Sequence, residues 1–190
     1  LTLDEISKIF NLSDINKAGA KFSWEKLNWI NSQYIKKMES VKLIEIIWRY
    51  WDDMGWEPPS REWAIKLAIL IKDSIILLKD AIDQSKPFFL SPPIQKEGRD
   101  FLESMDSKVS LKLILNYLIE QNTGKLDKEK AKEIINKISK MHNVKKGILM
   151  KSLRVAFFGS LSGPDLLQSW ELFSESKSDI SRIERCLKSI

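Results

Sequence analysis

Apolar residues recur every three or four positions along stretches that glycine and proline seldom interrupt. Seven glycines and six prolines are spread over 190 residues, too little punctuation for a sheet of many short strands. Val41, Ile44, Ile47, Trp48, Trp51 and Met54 keep the spacing of one helix face. Gly55 follows where a left-handed C-terminal cap is wanted. The expectation is an all-α chain, a bundle or cage of about nine to eleven helices in two successive subdomains.

Helix starts are legible. Thr2 with Glu5 forms a capping-box pattern that opens Leu3 to Phe10. Ser23 precedes a helix from Trp24 to Met38, and Ser40 one from Val41 to Met54. After Pro58 and Pro59, Ser60 caps a helix from Arg61 to about Lys72, and Asp73 restarts another through Gln84. The clearest break is Lys86 to Pro93, where Pro87, Pro92 and Pro93 surround Phe88 and Phe89. A boundary near Leu90 divides the chain into 1–90 and 91–190. Helices are then expected at Ile94–Met105, Ser110–Gln121, Lys128–Met141 (capped by Asp127), Lys146–Phe158, Pro164–Phe173 and Asp179–Ile190, with Pro164 in a first turn where its missing N–H is no loss.

The net charge of +5 is unevenly placed. Lys125 to Lys151 carries nine lysines against Asp127, Glu129 and Glu133, which leaves the remainder close to neutral. In the helix over 128–141 the buried stripe is Ala131, Ile134, Ile135, Ile138 and Met141, so its lysines face outward. Such a face is either solvated surface or a contact for a polyanion. Ala64 to Ile82 is apolar enough to test for a membrane span. Lys72 and Asp73 lie at its middle, each costing roughly 2.5–3.5 kcal/mol on insertion, so it reads as a buried helix pair. Leu1 to Phe10 reads as an amphipathic helix rather than a secretory signal, and the lone Cys186 excludes an internal disulfide. A cytoplasmic location is the expectation.

Catalytic machinery is hard to find. His142 is the single histidine, too few for a metal site built on imidazoles or for most Ser–His chemistry. The glycines never cluster into a phosphate-binding loop. Asp52 and Asp53 are adjacent on a helix and do not face one another. Six of seven tryptophans fall between Trp24 and Trp63. Aromatics can stack on bases, but at helical spacing Trp29, Trp48 and Trp51 read as core. The residues alone therefore yield a two-part helical protein with a basic patch.

Specific function enters through two motifs. Ile15 to Ile35, I-N-K-A-G-A-K-F-S-W-E-K-L-N-W-I-N-S-Q-Y-I, closely resembles the segment that follows the catalytic fold in bacterial and organellar glutamyl-tRNA synthetases. That family's pattern is N-K-x-x-A-x-F-D-x-x-K-L-x-W-x-N-x-x-Y-I. Asn16, Lys17, Ala20, Phe22, Lys26, Leu27, Trp29, Asn31, Tyr34 and Ile35 match it, and Ser23 replaces the usual aspartate as a cap. Leu153 to Leu166, L-R-V-A-F-F-G-S-L-S-G-P-D-L, resembles the family's L-R-x-A-L-T-G-x-x-x-x-P-x-L. The resemblance covers essentially the whole chain.

It implies that 1–90 is a stem-contact and first anticodon-binding subdomain and 91–190 a helical module completing the anticodon pocket. In the family the arginine of L-R-x-A contacts anticodon bases, which puts Arg154 forward. Residues around the later x-P-x-L add contacts, which puts Gly163, Pro164 and Leu166 forward. Without the family, Arg154 reads as paired with a carboxylate and Gly163–Pro164 as a helix-joining turn. Many synthetases restricted to tRNA-Glu carry an arginine where the ungapped alignment puts Ser74, beside Lys72. A short side chain lacks the donor that would penalise the wrong base, so the resemblance implies a parent enzyme that also charges tRNA-Gln.

The family's catalytic signatures are His-Ile-Gly-His and a Lys-Met-Ser-Lys-Ser-like loop. Lys37-Met38-Glu39-Ser40 is only a chance echo of the second, and both are expected upstream of Leu1. The implied chain is the tRNA-binding part of a glutamate–tRNA ligase, inactive alone and without a cofactor of its own. ATP and Mg would belong to the catalytic domain of a monomeric parent, and the partner would be tRNA rather than DNA or membrane. The rival readings are a helical protein–protein interaction module with a basic surface and a free-standing enzyme of unrecognised type.

Overall fold

The computed structural model describes residues 2–14, 19 and 21–189, and every described element of regular structure is helical. Eleven α-helices follow in order: α1 (Leu3–Ile9), α2 (Trp24–Lys37), α3 (Ser40–Asp53), α4 (Arg61–Ile71), α5 (Asp80–Phe89), α6 (Lys96–Leu102), α7 (Met105–Glu120), α8 (Lys128–His142), α9 (Lys146–Phe158), α10 (Leu166–Glu175) and α11 (Asp179–Lys188). The all-α expectation holds. Asn16, Lys17 and Ala20 of the first motif lie outside the described residues.

Local chemistry explains most helix starts. Thr2 accepts from the Glu5 N–H while the Glu5 carboxylate accepts from the Thr2 N–H, completing the capping box. Ser23, Ser60 and Asp127 each accept from the backbone N–H three residues on. Gly55 takes φ +68° just beyond α3. Met141 departs from the expected stripe of α8 and is exposed, as are all nine lysines of 125–151, while Ala131, Ile134, Ile135 and Ile138 are buried.

Four boundaries differ from expectation. The run Ala64–Ile82 is not a helix pair. α4 ends in a 3-10 turn over Lys72–Ser74, and α5 starts only at Asp80, whose carboxylate accepts the N–H groups of Ile76 and Leu77 and holds 76–79 out of the helix. The break does not begin at Lys86, because α5 runs through Pro87 to Phe89. Its end is pinned by aromatic contact: Phe88 stacks on Phe173 and Phe89 on Trp56, with centroids 5.1 and 5.0 Å apart. The expected helix Ile94–Met105 is α6 plus a break, because Ser104 caps a new helix by accepting from Ser107. Pro164 does not open α10; Asp165 is its N-cap and Leu166 its first residue.

α9 is the hub, packing against α6, α7, α8, α10 and α11. Leu149, Leu153, Val155, Ala156, Phe157 and Phe158 bury it on several faces. α3, α4 and α5 pack together around Trp51 and Trp63, and α4 lies on α10. The Trp63 indole N–H donates to the Leu172 carbonyl at 2.8 Å, and Lys66 bridges Glu171 and Glu175. One apolar cluster thus runs from Ile35 to Cys186. α1 buries nothing and α2 only Ile35. Trp29, expected in the core, is 65% exposed alongside Phe22, Trp24 and Tyr34; Trp51 is fully buried and Trp48 half-buried. No described helix is long and apolar enough to cross a membrane.

Candidate nucleic-acid interface

α9 stops at Gly159, which adopts φ +70° and donates its N–H to the Val155 carbonyl. The carbonyl of Gly159 accepts from Gln95 at 2.8 Å, anchoring the turn to the segment before α6. Residues 160–165 then fold back along the last turns of α9. Gly163 has φ +150°, and a Cβ there would stand 3.2 Å from the Phe158 ring and 3.4 Å from Arg154 Nη1. A side chain there would be strained by the positive φ and would press on the Phe158 ring.

Arg154 closes the corner. Its Nη1 donates to the carbonyls of Gly163 at 2.9 Å and Pro164 at 2.8 Å. Among the described residues it has no carboxylate partner within ion-pair distance, so the simple salt-bridge reading fails. Burial lowers its pKa, and the charge of Asp165 opposes that shift; the guanidinium stays a cation at neutral pH. Nη1 is spent on shaping the loop, while Nη2 and Nε meet no acceptor among the described residues.

Leu166 is 2% exposed, so only its backbone could meet a ligand. The start of α10 is poorly suited to a phosphate. Asp165 places a carboxylate there and accepts the Gln168 N–H at 2.9 Å. A negative cap repels a phosphate but tolerates a base edge with donors. The sequence did carry this signal, since Asp165 with Gln168 three residues later is a cap signature ahead of an apolar run. Phe158, which sets the limit at Gly163, had no such signal.

Lys72 and Ser74 are more tightly held than expected. Lys72 Nζ donates to the Met38 carbonyl at the C-terminus of α2. Ser74 Oγ donates to the Ile71 carbonyl at 2.7 Å and meets Gln84 Oε1 at 3.3 Å. α4 meets α10 through Trp63 with Leu172 and Lys66 with Glu171 and Glu175. Hydrogen bonds unite Arg154, Gly163 and Pro164, and no hydrogen bond joins Lys72 or Ser74 to them among the described residues.

The lysines of α8 form an exposed row. Only Lys137 is tied down among them, with Nζ 3.3 Å from the Tyr117 hydroxyl and 5.1 Å from its ring centroid. No described group of three His, Cys, Asp or Glu side chains could hold a metal.

The model of a family described as the anticodon binding domain matches residues 30–187. The chain is 88% identical over all 190 residues to a glutamate–tRNA ligase of Prochlorococcus marinus strain MIT 9312, of which it covers 40%. It is 45% identical over 185 residues to the same-named protein of another strain, covering 39% of that one. A crystal structure of a glutamate tRNA ligase from Elizabethkingia meningosepticum, in complex with its amino acid, superposes with a TM-score of 0.90. That match has 27% identity and covers the whole of this chain and 37% of the other. The chain thus spans about two fifths of the length of the curated relatives it matches. With the family pattern extending from α2 to α11, the chain belongs to the anticodon-binding domain family.

Proposed function

We propose that this chain is the anticodon-reading part of a glutamate–tRNA ligase, binding tRNA-Glu while the rest of a longer enzyme performs the ATP- and Mg-dependent attachment of glutamate. The observation that carries the reading is the corner of Arg154, Gly163 and Pro164. A half-buried guanidinium held flat by two carbonyls keeps free donors and a planar face, which suits the edge or face of an unstacked base. The exposed lysines of α8 supply sequence-independent attraction to phosphates. With no arginine at Ser74, the reading extends to a ligase that also accepts tRNA-Gln. The two-part organisation with a boundary near Leu90, a cytoplasmic location and a monomeric parent belong to the same reading.

The test is anisotropy of labelled tRNA-Glu, beside the same tRNA with its anticodon replaced, at physiological salt. A preference for the native anticodon that Arg154→Ala abolishes supports the reading. Equal, steeply salt-dependent binding of both would leave only lysine attraction and sink it. Efficient charging of tRNA-Gln by the intact ligase supports the dual specificity; selective charging of tRNA-Glu alone removes it.

A further inference from the structure

A cavity of about 360 Å³ opens between α3 and the start of α4, lined by Ile44, Glu45, Trp48, Arg49 and Arg61. It lies at the opposite end of α4 from Lys72, and eleven helical residues separate the two ends by roughly 16 Å. None of its lining residues belongs to the corner of Arg154, Gly163 and Pro164. Trp48 is half-buried, its indole 6.3 Å from that of Trp51 and tilted 48° to it. Arg49 and Arg61 are exposed and have no hydrogen-bond or ion-pair partner among the described residues. Glu45 stands one turn before Arg49 and yet forms no ion pair with it.

We infer that this cavity is a nucleotide pocket for a single-stranded or splayed residue of the bound RNA. A half-buried indole lining the cavity offers a stacking surface for any base. Two unpaired guanidiniums lining the same cavity supply the charge and donors that a phosphodiester takes. Glu45 accepts from an exocyclic amino or ring imino group and disfavours an acidic peptide in the same place. A cavity of this size is at the lower end of the range that holds small ligands, roughly 300–1,000 Å³. The inference rests on the RNA-binding reading but not on the anticodon corner.

The experiment uses the intact protein with two fluorescein-labelled probes, a tRNA-Glu transcript and its anticodon-replaced counterpart, across a salt series. Arg49→Ala combined with Arg61→Ala is expected to weaken both by about tenfold, with the salt slope shallower by about 0.7 for the lost phosphate contact. Trp48→Leu is expected to weaken both about tenfold at unchanged slope, and Trp48→Phe to recover most of that loss. Circular dichroism verifies folding of each variant. Wild-type affinity and slope in folded Arg49→Ala/Arg61→Ala protein would overturn the pocket, even if the native anticodon is still preferred. Loss of affinity in these variants with no preference between the two probes would uphold the pocket and overturn the anticodon reading instead. Absence of binding by the unaltered protein would overturn both.

Discussion

The guanidinium carbon of Arg182 lies 4.3 Å from the centroid of the Phe173 ring, deep in the protein, with no ion-pair partner among the described residues. Its Nη1 donates to the Phe157 carbonyl at 3.1 Å and its Nη2 to the Phe88 carbonyl at 3.4 Å. Phe88 and Phe157 are the penultimate residues of α5 and α9, so one side chain of α11 ties together two helix ends distant in sequence. Burial first, and then the neighbouring Arg185, pull its pKa down to about 10, so it is charged at neutral pH. Arg182→Met would keep the apolar stem but strand two buried carbonyls, at a cost of about 2 kcal/mol. Urea denaturation would register this as a lower midpoint at constant m. An unchanged midpoint would mean that the clamp contributes nothing.

Arg154 and lysine are expected to differ where base reading is concerned. Arg154→Lys keeps the charge but not the fork that spans Gly163, Pro164 and a base. Overall affinity for tRNA-Glu and its salt slope should change little, while the preference for the native anticodon should fall about tenfold. If lysine preserves the preference, the guanidinium is not the reader.

Gly159 admits no side chain. A Cβ would stand 2.2 Å from the Pro93 carbonyl oxygen, and φ is +70°. Gly159→Ala must displace the segment before α6 as well as strain the turn, for about 3 kcal/mol. Thermal unfolding should show a clear drop in Tm, whereas Gly147→Ala, in open space within α9, should lose no stability.

Asp179 should make stability depend on pH. Burial raises its pKa above the ordinary 3.8, although its own backbone, Ile180 and the Trp170 indole donate to it. The folded chain therefore keeps a proton that the unfolded chain has released. Its contribution favours folding at low pH, and falls as pH rises from about 3.8 through the raised folded value. Asp179→Asn retains an acceptor for Trp170 and removes the titration. Its stability relative to the unaltered protein should climb through that window and then level off. A difference independent of pH would show that the carboxylate is not held away from water.

Helix identity was legible because its causes are local. Thr2, Ser23, Ser60 and Asp127 bond to backbone three residues away, and the apolar spacing of α3 and α8 needs no knowledge of partners. The sequence by itself therefore determined an all-helical chain and the outward lysine face, while the family resemblance put Arg154, Gly163 and Pro164 forward as candidates. Tertiary structure alone decided the rest. Helix α5 continues past Pro87 because Phe88 finds Phe173. Trp51 is buried and Trp29 exposed although both sit on amphipathic helices. Arg154 turned to two carbonyls rather than to a carboxylate, because the chain folds back after Gly159. Each outcome depends on groups far apart in sequence, whose meeting no local hydrogen bond or periodicity specifies.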